Sequence, residues 1–388
     1  MWCESLPWGF VPPCSSGRGV PSRGADLRRC PVVLLIAALA VAVAAATGLV
    51  GPMPALGAPR RAKTAAAHPA PLAPPRSLTP FVAGASPTDD GTWSPAGRPV
   101  DGDPAVYETA LVPPGGSSPA GIAWMDTRLL SARLYSGSLS PGGGPYTYTA
   151  PVEPAQAATL VAAFNGGFQM KDAGGGYYTE GRMVVPVRAG AASLVIYRDG
   201  SADVGAWGTD VKMTPDVVAV RQNLVPLVAA GRPTALAMSA DWQAWGDTCG
   251  ADSCASSVPG IESQWRSAVG VAADGALVFV AGPSLDPLQL AQLLARAGVV
   301  RGMELDINPD WPVLATYDPP PGGLASPANG SRLIASSIQG PATFFEPSWN
   351  RDFVTMSARP STLSGTIAFP AQRSGGGHRV QPRKRRRS

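Results

Sequence analysis

Hydrophobic positions in this chain fall in short runs, and twice two such runs face each other across an Asp-Gly pair. SLVIYRDGSADVGAW at 193–207 turns at Asp199-Gly200, and AVGVAADGALVFVAG at 268–282 turns at Asp274-Gly275. Asp-Gly accepts the positive φ of a tight turn, so each stretch predicts a β-hairpin and antiparallel pairing. The period then changes. Over 287–297 Leu290, Leu293 and Leu294 share one helical face, Asp286 can cap, Pro287 suits the first turn and Gly298 stops the helix. VRGMELDI, 300–307, reads as the next strand, and a second helix is predicted over about 153–162, leading into VAAFNGGFQM at 161–170. The predicted fold class is α+β: mostly antiparallel or mixed sheet with a few helices, in a single globular domain.

Outside these runs the pattern defines the organisation. Residues 31–50, PVVLLIAALAVAVAAATGLV, carry no charge and are preceded by Arg18, Arg23, Arg28 and Arg29. Twenty apolar residues are enough to span a bilayer, and the basic flank puts residues 1–30 on the cytoplasmic side. The run is read as a transmembrane anchor or signal. A cleaved signal would leave the protein secreted, but Ala55–Ala58 runs into Pro59, a poor cleavage context. Either way the bulk of the chain is extracytoplasmic, at the cell membrane if the anchor stays. Residues 51–100 are rich in Pro and Ala and read as a linker. The folded body is expected over 101–357, and 358–388, ending in RVQPRKRRRS, as a disordered basic tail.

Charge sharpens this division. The whole chain is +4, whereas 101–357 holds 23 acidic and 14 basic residues, a balance of −9. An acidic body argues against nucleic acid as a partner. Cys249 and Cys254 lie in the exported part with four residues between them, and are expected to form a small disulfide loop. A metal site there would need two further soft ligands, which the sequence does not offer. The two histidines, His68 and His378, fall in the linker and the tail. The body therefore has no Ser-His-Asp or Cys-His catalysis and no histidine-based zinc site. Carboxylates, amides, hydroxyls and backbone N–H groups remain, an inventory suited to glycosyl chemistry, to binding, or to an oxygen-ligated metal.

The densest polar cluster is MELDINPDW, 303–311. In a regular strand Glu304 and Asp306 share a face, roughly 6.5–7 Å apart along the backbone. With them we single out Asn165 and the Gly166-Gly167 pair, whose lack of side chains permits close approach of another group.

These features occur in an order that resembles the phosphodiester glycosidase family. The matching elements are FNGGF at 164–168, NLVPLVAAGRP at 223–233, RSAVGVAADGALVFVAG at 266–282 and LDPLQLAQLLARAGVVRGMELD at 285–306. The resemblance implies a hydrolase of sugar 1-phosphodiesters, and together with the apolar run at 31–50 an exported, membrane-anchored one, acting on a sugar-phosphate or cell-wall glycan. It implies a site lined by Asn165, Gly166 and Gly167, to which Arg266 and Asp306 carry over; with the strand and charge arguments, Asp306, Glu304 and Asn165 are the catalytic candidates and Gly166, Gly167, Arg266, Arg182 and Asn308 the substrate-binding ones. Where the family continues Leu-Asp with Gly-Gly-Gly-Ser, this chain has Ile307-Asn308-Pro309. The alternative is a non-catalytic glycan- or phosphate-binding envelope module of the same fold. An anionic substrate needs countercharge in so acidic a body, from Arg266 or Arg182 or from a divalent cation such as calcium.

Overall fold

The computed structural model describes residues 70–81, 91–239, 242 and 263–360. In chain order its strands are β1 (Ser94–Ala96), β2 (Val106–Leu111), β3 (Ala120–Met125), β4 (Leu130–Tyr135), β5 (Leu160–Asn165), β6 (Tyr177–Thr179), β7 (Arg182–Val185), β8 (Ala192–Tyr197) and β9 (Ala202–Ala206). They continue as β10 (Val217–Gln222), β11 (Val228–Ala229), β12 (Arg232–Pro233), β13 (Gln264–Ala272), β14 (Leu277–Leu285), β15 (Val299–Ile307), β16 (Leu314–Tyr317), β17 (Gly330–Arg332) and β18 (Phe353–Ala358). The helices are α1 (Pro154–Ala157) and α2 (Pro287–Arg296). The fold is thus predominantly β, with less helix than an α+β reading implies.

Three sheets result. The first runs β1-β2-β3-β14-β13-β15-β11-β12, the second β7-β6-β10-β8-β9, and the third β17-β16-β5-β18-β4. The pairings between these strands are antiparallel, and the two Asp-Gly hairpins are β8–β9 and β13–β14. Gly200 and Gly275 have φ of 79° and 93°, the left-handed geometry that makes glycine the fitting turn residue. One face of each sheet feeds a shared core that includes Phe279 and Met303 from the first, Leu194 and Ile196 from the second, and Phe164 and Val354 from the third. The other face of the first sheet is covered by α2 through Leu290, Leu293 and Leu294. Burial of each such leucine stabilises by about 1.5–3 kcal/mol. α2 is held as its sequence indicates: Asp286 accepts from the Gln289 N–H, and the Gln289 side chain returns a bond to the Asp286 N–H.

Two expectations change. The helix expected over 153–162 is a single turn, and Leu160–Asn165 is instead a strand between β16 and β18, buried at every position. A strand covered on both faces shows no alternation, and its alanines favour a helical reading. The linker expected over 51–100 is in part attached to the body. Leu72 is buried, its N–H bonds the Asp126 carboxylate at 2.7 Å, and Arg296 of α2 donates to the Thr79 carbonyl and stacks on Phe81. Ser94–Ala96 pairs with β2 as the sheet edge. The apolar run 31–50, the Cys249–Cys254 pair and the basic tail lie outside the described residues. Among the described residues no helix is long and apolar enough to cross a membrane.

Candidate active site

Strand ends from all three sheets meet where β5 stops at Asn165. Phe353 pairs with Asn165 across the β5–β18 ladder, so Asp352 falls beside Gly166, whose N–H donates to the Asp352 carbonyl at 2.9 Å. β13 brings Arg266 and Ser267, β15 brings Glu304 and Asp306, and the end of β10 brings Arg221 followed by Asn223. Asn165 Nδ2 donates to Ser267 Oγ at 2.9 Å, and the same hydroxyl accepts the Asp306 N–H at 3.2 Å. Asn165 and Asp306, 141 positions apart in the sequence, therefore meet on one oxygen.

The charges of the cluster are buried and paired. Arg221 Nε lies 2.7 Å from Asp352 Oδ2, Arg266 Nη1 2.5 Å from Glu304 Oε1, and Arg351 Nη2 2.5 Å from Asp306 Oδ2. Glu304 Oε2 also accepts from the Trp242 indole at 2.9 Å, and Arg266 Nε donates to the Leu285 carbonyl. Desolvation opposes burying six charges, and apolar replacements are often as stable or more so, so such a cluster is weakly explained by stability alone.

Glu304 and Asp306 do not share partners as an unbroken strand would suggest. Arg266 pairs with Ile307 while Ala268 pairs with Glu304, so β15 carries one extra residue opposite Ser267. This bulge breaks the alternation between the two acids. Glu304 goes to Arg266 and Trp242; Asp306 goes to Arg351 and takes the Ile307 N–H on Oδ1 at 2.9 Å. Burial pushes the Asp306 carboxyl up to about 7, outweighing the opposing pull of Arg351, the Ile307 N–H and Arg221, with Asp352 adding to the rise. A carboxyl titrating near neutrality is suited to acid–base work.

The glycines answer a packing demand within the protein. A Cβ on Gly166 would lie 2.2 Å from Asp352 Oδ2, and one on Gly167 would lie 2.7 Å from Asn223 Oδ1 and 3.0 Å from the Arg221 guanidinium carbon. The close approach expected of a ligand is made by these side chains. Asn223 then ties the loop to β15, accepting from the Phe168 N–H and donating to the Glu304 and Leu305 carbonyls. Arg221 also donates to the Phe168 carbonyl.

Asn165 is held on every polar atom of its side chain, with Nδ2 also on the Gly166 carbonyl and Oδ1 accepting from Val313. It positions the cluster. Arg266, expected to hold phosphate, is fully buried against Glu304. Arg182 sits exposed on β7, donating to the Pro145 carbonyl and lying over Tyr146, and is engaged by that loop instead of the cluster. Asn308 forms the turn after β15 at φ 92°, with its N–H on the Trp265 carbonyl. Asparagine tolerates positive φ better than most residues, which lets it stand where the family has glycine.

Sequence reading missed Arg351 and Asp352. Arg351 also donates to the Gly167 carbonyl at 2.8 Å and lies 4.5 Å from the Trp311 ring centre. Its Nε, and Oδ1 of Asp352, are the buried polar atoms of the cluster without a hydrogen-bond partner in the structure. Among the described residues no group of three or more His, Cys, Asp or Glu is placed to hold a metal, and each carboxylate of the cluster faces an arginine.

The body is predominantly β, and its strand-end site is built of carboxylate–arginine pairs. Its sequence is more specific: residues 158–306 match the family model of phosphodiester glycosidase, a family of hydrolases. That span holds Asn165, Arg221, Arg266, Glu304 and Asp306, and stops short of Arg351 and Asp352. Among solved structures, the catalytic domain of zebrafish N-acetylglucosamine-1-phosphodiester alpha-N-acetylglucosaminidase, auto-inhibited by its pro-peptide, is similar at 16% identity, covering 73% of this chain and 96% of that one with a TM-score of 0.42. A hypothetical protein from Synechocystis is similar at 12% identity, covering 69% and 64% with a TM-score of 0.35. No curated protein matches.

Proposed function

We propose that the chain is an exported hydrolase of sugar 1-phosphodiesters, held at the cell membrane through residues 31–50 and acting on a sugar-phosphate or cell-wall glycan. The observation that carries this reading is the Arg351–Asp306 pair at the end of β15, with a carboxyl poised near neutral pH beside a guanidinium that has an unused N–H. A phosphate ester leaves more readily than a sugar alcohol, so a single carboxylate serves as base or nucleophile without strong general-acid help. Arg351 then offsets charge on the departing phosphate. Asp352, with Oδ1 unpaired, is a further carboxylate within the cluster beside Asp306 and Glu304, while Asn165, Ser267 and Asn223 hold the strand ends in register.

A second reading, a glycan- or phosphate-binding module without turnover, is favoured by the saturation of Glu304 and Asn165, which leaves neither free to react. Release of chromophore from a chromogenic sugar 1-phosphodiester, with and without chelator, separates the two. Turnover supports the hydrolase, and its loss on chelation would bring in a divalent cation. Binding without turnover supports the module.

A further inference from the structure

A cavity of about 330 Å³ lies where the second sheet meets β4, and it contains no residue of the strand-end cluster. Three arginines from separate elements line it: Arg133 on β4, Arg198 just after β8 and Arg359 just after β18. The Asp199-Gly200 turn docks there, with the Ala132 N–H on the Gly200 carbonyl at 2.8 Å. A Cβ on Gly200 would come 2.5 Å from Ser131 Cβ. The arginines are thus gathered by a built contact between sheets.

Among the described residues these three guanidinium groups form no ion pair, unlike the arginines of the cluster. Arg133 stacks on Tyr148 at 4.0 Å, Arg198 donates to the Pro215 carbonyl at 3.1 Å, and Arg359 donates to the Thr127 and Asp199 carbonyls. The acids on the lining have other commitments. Glu180 accepts the Thr147 and Tyr148 N–H groups at 2.9–3.1 Å, and Asp199 accepts from the N–H and hydroxyl of Ser201 while also attracting Arg359, which leaves Arg133 and Arg198 as the uncompensated pair. A second cavity of about 540 Å³ shares Glu180, Arg198 and Val218 with the first and continues over Met213, Pro215 and Tyr178. Together they form a groove with a cationic end and an apolar end.

We propose that this groove is a second binding site, which takes a phosphate monoester with a compact organic body. Three guanidinium groups on the lining of one cavity suit a polyanion such as phosphate, whereas a carboxylate needs one fork. The organic part lies along Val218 toward Met213. This inference does not depend on what the strand-end cluster does.

The test is calorimetric titration of the full chain at low salt with glucose 1-phosphate, inorganic phosphate and glucose. Both phosphates are expected to bind, glucose 1-phosphate the tighter, and glucose not at all. The Arg133→Ser/Arg198→Ser double variant, altered at two exposed positions, should lose at least about tenfold in affinity for glucose 1-phosphate while its melting temperature stays put. Asp306→Asn should retain the wild-type affinity at this site. The proposal is overturned if the double variant binds as the wild type does, or if glucose binds as tightly as its phosphate.

Discussion

The strand-end cluster and the groove on the second sheet both gather three arginines, and they treat them in opposite ways. In the cluster Arg221, Arg266 and Arg351 are buried, and each meets a carboxylate within 2.7 Å. In the groove Arg133 and Arg198 are exposed and Arg359 half-buried, and they settle for carbonyl oxygens and a ring. Solvent makes the difference. A buried charge left unpaired costs several kcal/mol, whereas an exposed arginine remains hydrated and free to meet an incoming anion. The cluster is therefore a fixed electrostatic frame that still leaves Arg351 Nε and Asp352 Oδ1 uncommitted, whereas the groove keeps its arginines hydrated.

The largest effect should come from breaking that frame. Arg266→Met leaves Glu304 buried without its cation and is expected to destabilise by about 3–5 kcal/mol. Arg266→Met/Glu304→Leu, which removes both charges, should recover most of that loss in denaturant unfolding. If the double variant is as unstable as the single, packing and not charge governs the site. Next comes Gly166→Ala, whose methyl would meet Asp352 Oδ2 at 2.2 Å. A cost of about 1–3 kcal/mol is expected, and an Asp352→Ala background should relieve only part of it, because the Asp352 carbonyl oxygen stays 2.7 Å from the same methyl.

Asp306 titrates near 7 folded against an ordinary 3.8, so the folded protein holds this proton more tightly than the unfolded chain. Its contribution to stability is complete below about pH 4 and is lost as pH rises through about 7, on the order of a few kcal/mol. Glu108, pushed up to about 7 by burial, acts in the same window and direction. Unfolding free energy measured from pH 4 to 8 should therefore fall less steeply in Asp306→Asn than in the wild type. The smallest effect belongs to the groove: Arg198→Ser alone should change stability by less than about 0.5 kcal/mol.

The same contrast explains what could be read from the sequence. Both hairpins, α2 and β15 were legible because each rests on local chemistry: Asp199-Gly200, Asp274-Gly275, the Asp286–Gln289 cap and the leucines of α2. β5 was misread because its six positions are all buried and alanine-rich. Asn165, Glu304 and Asp306 stood out as polar residues at the ends of apolar runs. Their partners did not, because Arg221 and Asp352 are 131 positions apart, one inside β10 and the other just before β18. The bulge that separates Glu304 from Asp306 depends on the register with β13, which no local pattern encodes. A polar triplet at a strand end, RQN at 221–223 and NRD at 350–352, is the signal that could have flagged the missing residues.

The central claim is that Asp306, poised by burial and held by Arg351, carries the chemistry. Its most direct test is the pH dependence of kcat/KM on a chromogenic sugar 1-phosphodiester, in the wild type and in Asp306→Asn checked for an intact fold by circular dichroism. The wild type should show a limb rising through about pH 7, and Asp306→Asn should lose turnover by orders of magnitude. A folded Asp306→Asn protein that turns over at the wild-type rate with the same limb would contradict the account.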